Sequence, residues 1–115
     1  MTGVQTCALR SLAFLYANCL FSLCVSHYEG WGLPIGESMW MGRPVLASQT
    51  SSMPEVGGDL VDYCDPADAE DMEAKIAVLM FDDAHRNARA EVLSRANLRS
   101  WSDVVAQIAQ EVLDS

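Results

Sequence analysis

The sequence predicts an α/β fold, a small parallel sheet with helices crossing between its strands and then helices alone. Three observations predict it. Apolar runs of strand length occur at residues 20–26, 44–48 and 60–64. Helical patterns separate them, and strand, helix, strand, helix, strand in succession implies parallel pairing. From Ala67 onward the apolar residues recur only at helical spacing.

The elements follow in order. Residues 11–18 can form a short helix. Residues 20–26 are a continuous apolar run ending in Ser26 and His27, which predicts a strand buried on both faces. A glycine-rich turn, Glu29-Gly30-Trp31-Gly32-Leu33-Pro34, comes next. Pro34 suits the first turn of a helix, where its missing N–H costs nothing. That helix is expected to reach Met41, with Gly42 as its stop. Residues 44–48, PVLAS, form the second strand. Ser51-Ser52-Met53-Pro54-Glu55 reads as the capped start of a small helix closed by Gly57 and Gly58, with Ser52 as the cap. The third strand, 60–64, ends at Asp65-Pro66.

Met72, Ile76, Leu79 and Met80 then share one helical face. Asp82-Asp83 marks a break. A further helix is expected to turn Ala88, Val92 and Leu93 inward and Arg86, Arg89 and Arg95 outward. Ser100 and Asp103 have capping-box spacing ahead of a last helix carrying Val104, Val105, Ile108, Ala109 and Val112, with Trp101 as its anchor.

The chain has 115 residues, enough for one domain but small for an α/β enzyme. Its net charge is −9, with Lys75 the single lysine, so nucleic acid and anionic membrane are poor partners. The four cysteines, Cys7, Cys19, Cys24 and Cys64, form no Cys-x-x-Cys pair, and His27 and His85 lie far apart in sequence. A zinc site is not expected. Cys19 and Cys24 sit among apolar residues and read as buried, reduced thiols, which suits a cytoplasmic protein.

Arg10 and the apolar stretch 12–25 have the outline of a signal peptide. Asn18 and Ser22 interrupt that stretch, and it falls short of the roughly 20 residues that a membrane span needs. No transmembrane segment is expected. Residues 1–11, MTGVQTCALRS, look like a translated sequencing adapter joined to a truncated gene, which leaves 12–115 as the domain proper.

The chemistry concentrates in residues 27–44, HYEGWGLPIGESMWMGRP. Glu29 stands where a strand ends, and parallel α/β sheets bind ligands at the carboxyl ends of their strands. Gly30 and Gly32 leave the backbone uncovered for close approach. The following helix aims its N-terminus at the same place, where free N–H groups and the dipole favour a phosphate. Glu37, inside that helix, offers a carboxylate that can accept two hydrogen bonds from a diol such as a ribose.

The pattern Glu29-x7-Glu37 within YEGWGLPIGE resembles the E-x7-E motif of family 4 retaining glycosyltransferases. The resemblance continues through MGRPVLAS, SSMPEVGGD and LVDYCDPAD to the Ser-Trp before the last helix, covering residues 15–112. It implies a GT-B fold, of which this chain would be the C-terminal half of the donor-binding domain, a partial Rossmann-like parallel sheet followed by C-terminal helices. Glu29 would face the donor sugar and the reacting carbon. Gly30, Trp31, Gly32 and Leu33 would offer backbone contacts to sugar and diphosphate, and Glu37 would hold the ribose. The reaction implied is transfer of a hexose, mannosyl- or glucosyl-like, from a nucleotide sugar to an acceptor hydroxyl with retention, in envelope polysaccharide assembly. No cofactor and no metal would be required. A front-face route, in which the leaving phosphate assists the acceptor, is expected over Glu29 as covalent nucleophile.

The family also places an Arg and Lys pair earlier in the donor domain to grip the diphosphate. No lysine precedes Lys75 here, and the earlier arginines are Arg10 and Arg43 alone. The acceptor site for a glycan or lipid-linked glycan, and a catalytic-side histidine, belong to an N-terminal domain that this sequence does not match. The isolated chain is therefore expected to be inactive. Peripheral membrane association of a full-length protein is compatible with the resemblance.

Blander readings stand beside these. Trp31 could pack over the turn instead of touching a ligand. His27 reads as a loop residue, and Arg43 as a residue capping or solvating the C-terminus of the helix before it. Ser51, Ser52 and Glu55 could line the donor pocket or cap a helix. Two other function classes fit less well. A dinucleotide-binding enzyme would need G-x-G-x-x-G, whereas Gly30, Gly32 and Gly36 are one residue too widely spaced. A non-catalytic nucleotide- or partner-binding module remains the alternative for the isolated chain.

Overall fold

The computed structural model describes residues 3–115, with side chains from residue 10 onward. Met1, Thr2 and the Cys7 side chain, all in the segment expected to be non-native, lie outside the described residues.

The order of elements is α1 (Gly3–Asn18), β1 (Ser22–Cys24), α2 (Leu33–Trp40), β2 (Val45–Ser48), α3 (Met53–Gly57), β3 (Asp62–Cys64), α4 (Ala69–Phe81), α5 (Asp83–Arg95) and α6 (Trp101–Asp114). The three strands form one parallel sheet in the order β1-β2-β3, with Leu23 opposite Leu46 and Leu46 opposite Asp62. The predicted α/β architecture is therefore present, a parallel sheet of Rossmann-like type followed by helices. α1 is longer than the helix expected over 11–18, because no proline or internal glycine interrupts residues 4–18.

Side chains alternate across the sheet and build two apolar layers. On one face Cys24, Val45, Ala47 and Val61 pack with Ile35 and Met39 of α2, Met53 of α3 and Leu93 of α5. On the other, Leu46 and Cys64 meet Leu79 of α4, with Phe21, Val25, Met72 and Ile76 at the margin. β2, central in the sheet, is buried at every position.

The expectation of a first strand buried on both faces is corrected. β1 spans only three residues and Leu23 is 48% exposed. The strand lies at the sheet edge, and α4 packs over β2 and β3 rather than over Leu23. An apolar run alone cannot distinguish an edge strand from a central one.

Helix ends follow their sequence signals closely. Gly42 closes α2 in the left-handed conformation, φ 71°. The Gly42 N–H donates to the Met39 carbonyl and the Arg43 N–H to the Ser38 carbonyl, each at 2.9 Å, which is the Schellman pairing. Asp68 Oδ1 caps α4 by accepting from the Glu70 and Asp71 N–H groups. Asp82 ends α4 and caps α5 through the His85 N–H. Ser100 and Asp103 form a complete capping box.

α5 is oriented differently from expectation. Leu93 is buried, but Ala88 and Val92 are exposed, while Arg86 and Arg89 turn inward. The cause is Asp62, a largely buried carboxylate on β3 that needs partners. Arg89 donates to Asp62 Oδ1 from Nε and Nη2 at 2.9 and 2.6 Å, and His85 Nε2 meets Oδ2 at 2.7 Å. Arg86 donates to the Leu79 and Met80 carbonyls, in the last turn of α4. Ion pairing and helix capping decide this helix face, not apolarity.

Two further expectations are corrected here. Trp101 is no anchor, being 84% exposed, and no α6 residue is buried. Arg43 does not serve the C-terminus of α2, whose carbonyls the Schellman turn already satisfies. Its Nη2 reaches back to the Ala17 carbonyl in the last turn of α1. α1 is thus fastened to α2 at both ends of the latter, by Arg43 past its C-terminus and by Tyr16 near its N-terminus.

Candidate functional site

The carboxyl ends of β1 and β2 carry two loops, residues 25–32 and 49–52, which meet side by side. Glu29 lies in the first. Its side chain is half-buried, and Oε1 accepts a hydrogen bond of 2.8 Å from Ser26 Oγ. Its backbone is held by the second loop. The Glu29 carbonyl accepts from Ser51 Oγ at 2.8 Å and from Ser52 Oγ at 2.9 Å, and the Glu29 N–H donates to Ser51 Oγ at 3.3 Å. Thr50 Oγ1 donates to the His27 carbonyl at 3.1 Å. Ser52 therefore makes no side-chain cap for α3, contrary to the sequence expectation. The Glu29 carbonyl, in the loop after β1, draws its hydroxyl away.

Beyond Glu29 the backbone is open at Gly30 but not at Gly32, which is buried, so the expectation of uncovered backbone at both glycines is corrected. A Cβ on Gly30 would meet nothing within 4 Å. Gly32 is the N-cap of α2, with φ 71°, and a Cβ there would come within 3.2 Å of Ile35 Cδ1. Glycine is needed at position 32 both for conformation and for space. Having no side chain, it leaves the α2 N-terminus without a side-chain cap, and no acidic residue sits in the first turn. The positive end of the helix is thus free to meet an anion. Trp31 does not pack over the turn, since it is 63% exposed, and Tyr28 and Leu33 beside it are exposed too.

Glu37 is in the middle of α2 and exposed. Its Oε2 accepts a hydrogen bond of 3.0 Å from the Tyr16 hydroxyl, which also lies 3.4 Å from the Pro34 carbonyl. Burial, then the Glu37 hydrogen bond and charge, push the Tyr16 phenol up to about 12. Nothing in the residue pattern singled Tyr16 out.

The buried Cys24 thiol beneath this turn is pushed up by burial and then by the Glu29 charge, so it is held as a thiol. Burial first, and then Asp71, do the same for Cys64. His27 is an exposed loop residue. His85 is committed to Asp62, away from Glu29. Among the described residues no three His, Cys, Asp or Glu side chains converge to hold a metal ion. No described helix is long and apolar enough to cross a membrane.

The predicted residues thus lie in the loop after β1 and along α2, with Glu29 held by the 49–52 loop and Glu37 by Tyr16. Two clefts lie elsewhere. One of about 280 Å³ is lined by Leu20, Arg43, Pro44 and Arg86, and one of about 340 Å³ by Asp62, Tyr63, Lys75 and His85. Neither includes Glu29 or Glu37.

Comparison with known proteins bears on this site. O-antigen chain mannosyltransferase B of Escherichia coli is 40% identical over 99 residues, 85% of this chain and 26% of that protein. The MMP alpha-(1->4)-mannosyltransferase of Mycolicibacterium hassiacum is 32% identical over 109 residues, again 85% of this chain and 25% of the relative. The serotype-specific mannosyltransferase WbdA of Escherichia coli is 32% identical over 93 residues, 80% of this chain and 11% of its own length. The chain thus spans about a quarter, or less, of the relatives it matches. Residues 6–94, which contain all three strands and the Glu29–Glu37 turn, match the family described as glycosyl transferases group 1, and the chain belongs to that family.

Proposed function

We propose that this chain is the donor-binding part of a family 4, GT-B glycosyltransferase that moves a mannosyl-like hexose from a nucleotide sugar to an acceptor hydroxyl with retention. One observation carries the reading. Within the matched region the loop after a parallel strand holds a half-buried glutamate, Glu29, beside the open Gly30 backbone and ahead of an uncapped helix N-terminus. Such a corner suits a sugar diphosphate, with the anion on the N–H groups and the sugar hydroxyls on the carboxylate. The mannosyltransferase names of the relatives support the choice of sugar, and the O-antigen relative supports a role in envelope polysaccharide assembly.

In this reading Glu29 faces the sugar and the reacting carbon. The backbone of Gly30, Trp31, Gly32 and Leu33 receives sugar and diphosphate. Glu37 accepts the ribose hydroxyls, its rotamer fixed by Tyr16. The acceptor oxygen bonds to the anomeric carbon as the bond to the donor phosphate breaks. The acceptor proton passes to the departing diphosphate on the same face. No metal is required where N–H groups and basic residues take up the leaving-group charge. The acceptor site, and further grip on the diphosphate, come from parts of the enzyme that this chain does not supply. A cytoplasmic reaction fits this reading.

The test is steady-state kinetics of the parent enzyme with nucleoside diphosphate mannose. Glu37→Ala should raise the donor KM about tenfold or more, the loss of a charged hydrogen-bond acceptor. Glu29→Ala should lower kcat by roughly two orders of magnitude with little change in donor KM. Unchanged kinetics in both variants would discard the site, and an inverted anomeric product would discard retention.

A further inference from the structure

Ser51 is the non-glycine residue with positive φ among the described residues, at 59°. A left-handed serine is strained, and such strain persists only where the surroundings hold it. Here it places the Ser51 hydroxyl so that one oxygen both donates to the Glu29 carbonyl and accepts from the Glu29 N–H. Ser52 Oγ takes the carbonyl's second lone pair.

This arrangement has a geometric consequence one atom further on. The peptide joining Glu29 and Gly30 is planar and trans, so its N–H points opposite to its carbonyl. Gly30 has no Cβ to restrict rotation of that plane. The two serines supply the restriction from outside. With the carbonyl fixed toward residues 51 and 52, the Gly30 N–H is fixed away from them, and it makes no hydrogen bond among the described residues.

We propose that Ser51 and Ser52 are positioning residues, locking the Glu29–Gly30 peptide so that the Gly30 N–H donates to the sugar diphosphate of the donor. This rests on the donor-binding reading above. It extends that reading to residues outside the glutamate and glycine pattern. Neither serine touches the donor; both act through the peptide they hold.

The experiment is amide NMR of the parent enzyme that contains this chain, 15N-labelled at glycine and titrated with GDP-mannose, UDP-glucose and ADP-glucose. Ser51→Gly is the decisive variant, because glycine accepts the positive φ without strain while the hydroxymethyl group is lost. Ser52→Ala removes the other hydroxyl, and Ser52→Thr restores it. The expected result is a donor-dependent shift of the Gly30 amide in the wild-type enzyme. Ser51→Gly and Ser52→Ala should each weaken binding several-fold, and together about tenfold. Ser52→Thr should keep wild-type affinity. A purely structural role for the serines would lower the melting temperature and leave the affinity of the folded enzyme unchanged. Serine variants that bind as wild type while Glu37→Ala binds more weakly would overturn the positioning role and leave the donor reading intact. A Gly30 amide that responds to none of the three donors in the wild-type enzyme would overturn both.

Discussion

The rim around Glu29 and the helix α6 are both exposed, yet they are held in opposite ways. The rim is fixed by polar groups that reach across the chain, Thr50, Ser51 and Ser52 to one loop and Tyr16 to α2. It also sits directly on the core, since Ile35 lies fully buried under Gly32. α6 has the more sharply segregated sequence, with Trp101, Val105, Ile108 and Val112 on one stripe, and buries none of them. Its order comes from its own cap and from side-chain pairs one turn apart, such as Gln107 with Glu111. Amphipathic pattern therefore measures what a helix could bury, not what it does bury.

The largest expected effect separates the two regions by their cores. Ile35→Ala should cost about 2–5 kcal/mol, through lost transfer energy and the cavity left between α2 and the sheet. Ile108→Ala, at a position 57% exposed, should change stability by no more than about 0.5 kcal/mol. Urea unfolding of the two variants decides the matter. Equal costs would mean that α6 packs on the domain in solution and that the contrast drawn here is false.

This contrast also marks how far the sequence could be read. The strand and helix order was legible because each apolar run was bounded by a residue with one physical meaning: Pro34 at a helix start, Gly42 past a helix end, Asp82 between two helices. The Glu29-to-Glu37 turn was legible because glycines and a proline sit at fixed offsets from a strand. What stayed hidden were the partners of polar groups. Arg89 read as solvent-facing because its spacing said nothing about Asp62, 27 residues away in sequence, and Arg86 because nothing pointed it at the last carbonyls of α4. Ser52 read as a cap because local chemistry favours one, whereas the Glu29 carbonyl wins the hydroxyl. The faces of a strand were equally silent, because an apolar run does not say what packs on it, so 20–26 looked as buried as 44–48.

A smaller effect tests the fastening of the rim to α1. Desolvation, reinforced by the Glu37 carboxylate, raises the Tyr16 phenol from 10.0 to about 12. The neutral phenol is the form favoured by folding. Its contribution is complete below the unfolded value of 10.0 and is lost as pH rises through about 12. A near-ultraviolet titration compared with Tyr16→Phe should show this phenol ionising last or nearly so among the three tyrosines. Glu37→Gln should bring it part of the way back, since burial remains. An ordinary titration of Tyr16 would mean that α1 is not seated against α2.

The smallest effect concerns α6, and it is local. With no buried face, the helix depends on its first turn, because a helix of 14 residues is marginal in water without packing. Ser100 Oγ accepts from the Asp103 N–H at 3.2 Å, and Asp103 Oδ2 accepts from the Ser100 N–H at 2.7 Å. Those Ser100 hydrogen bonds hold the Asp103 carboxyl below its ordinary 3.8. The cap is thus fully present above 3.8 and is lost as pH falls through the lowered value. Ser100→Ala should destabilise the helix by about 1 kcal/mol, an ordinary N-cap loss. The change should appear in carbon chemical shifts of residues 101–114 and leave the global urea midpoint where it was. A shifted midpoint would mean that α6 unfolds with the sheet, and the two regions would then be one cooperative unit.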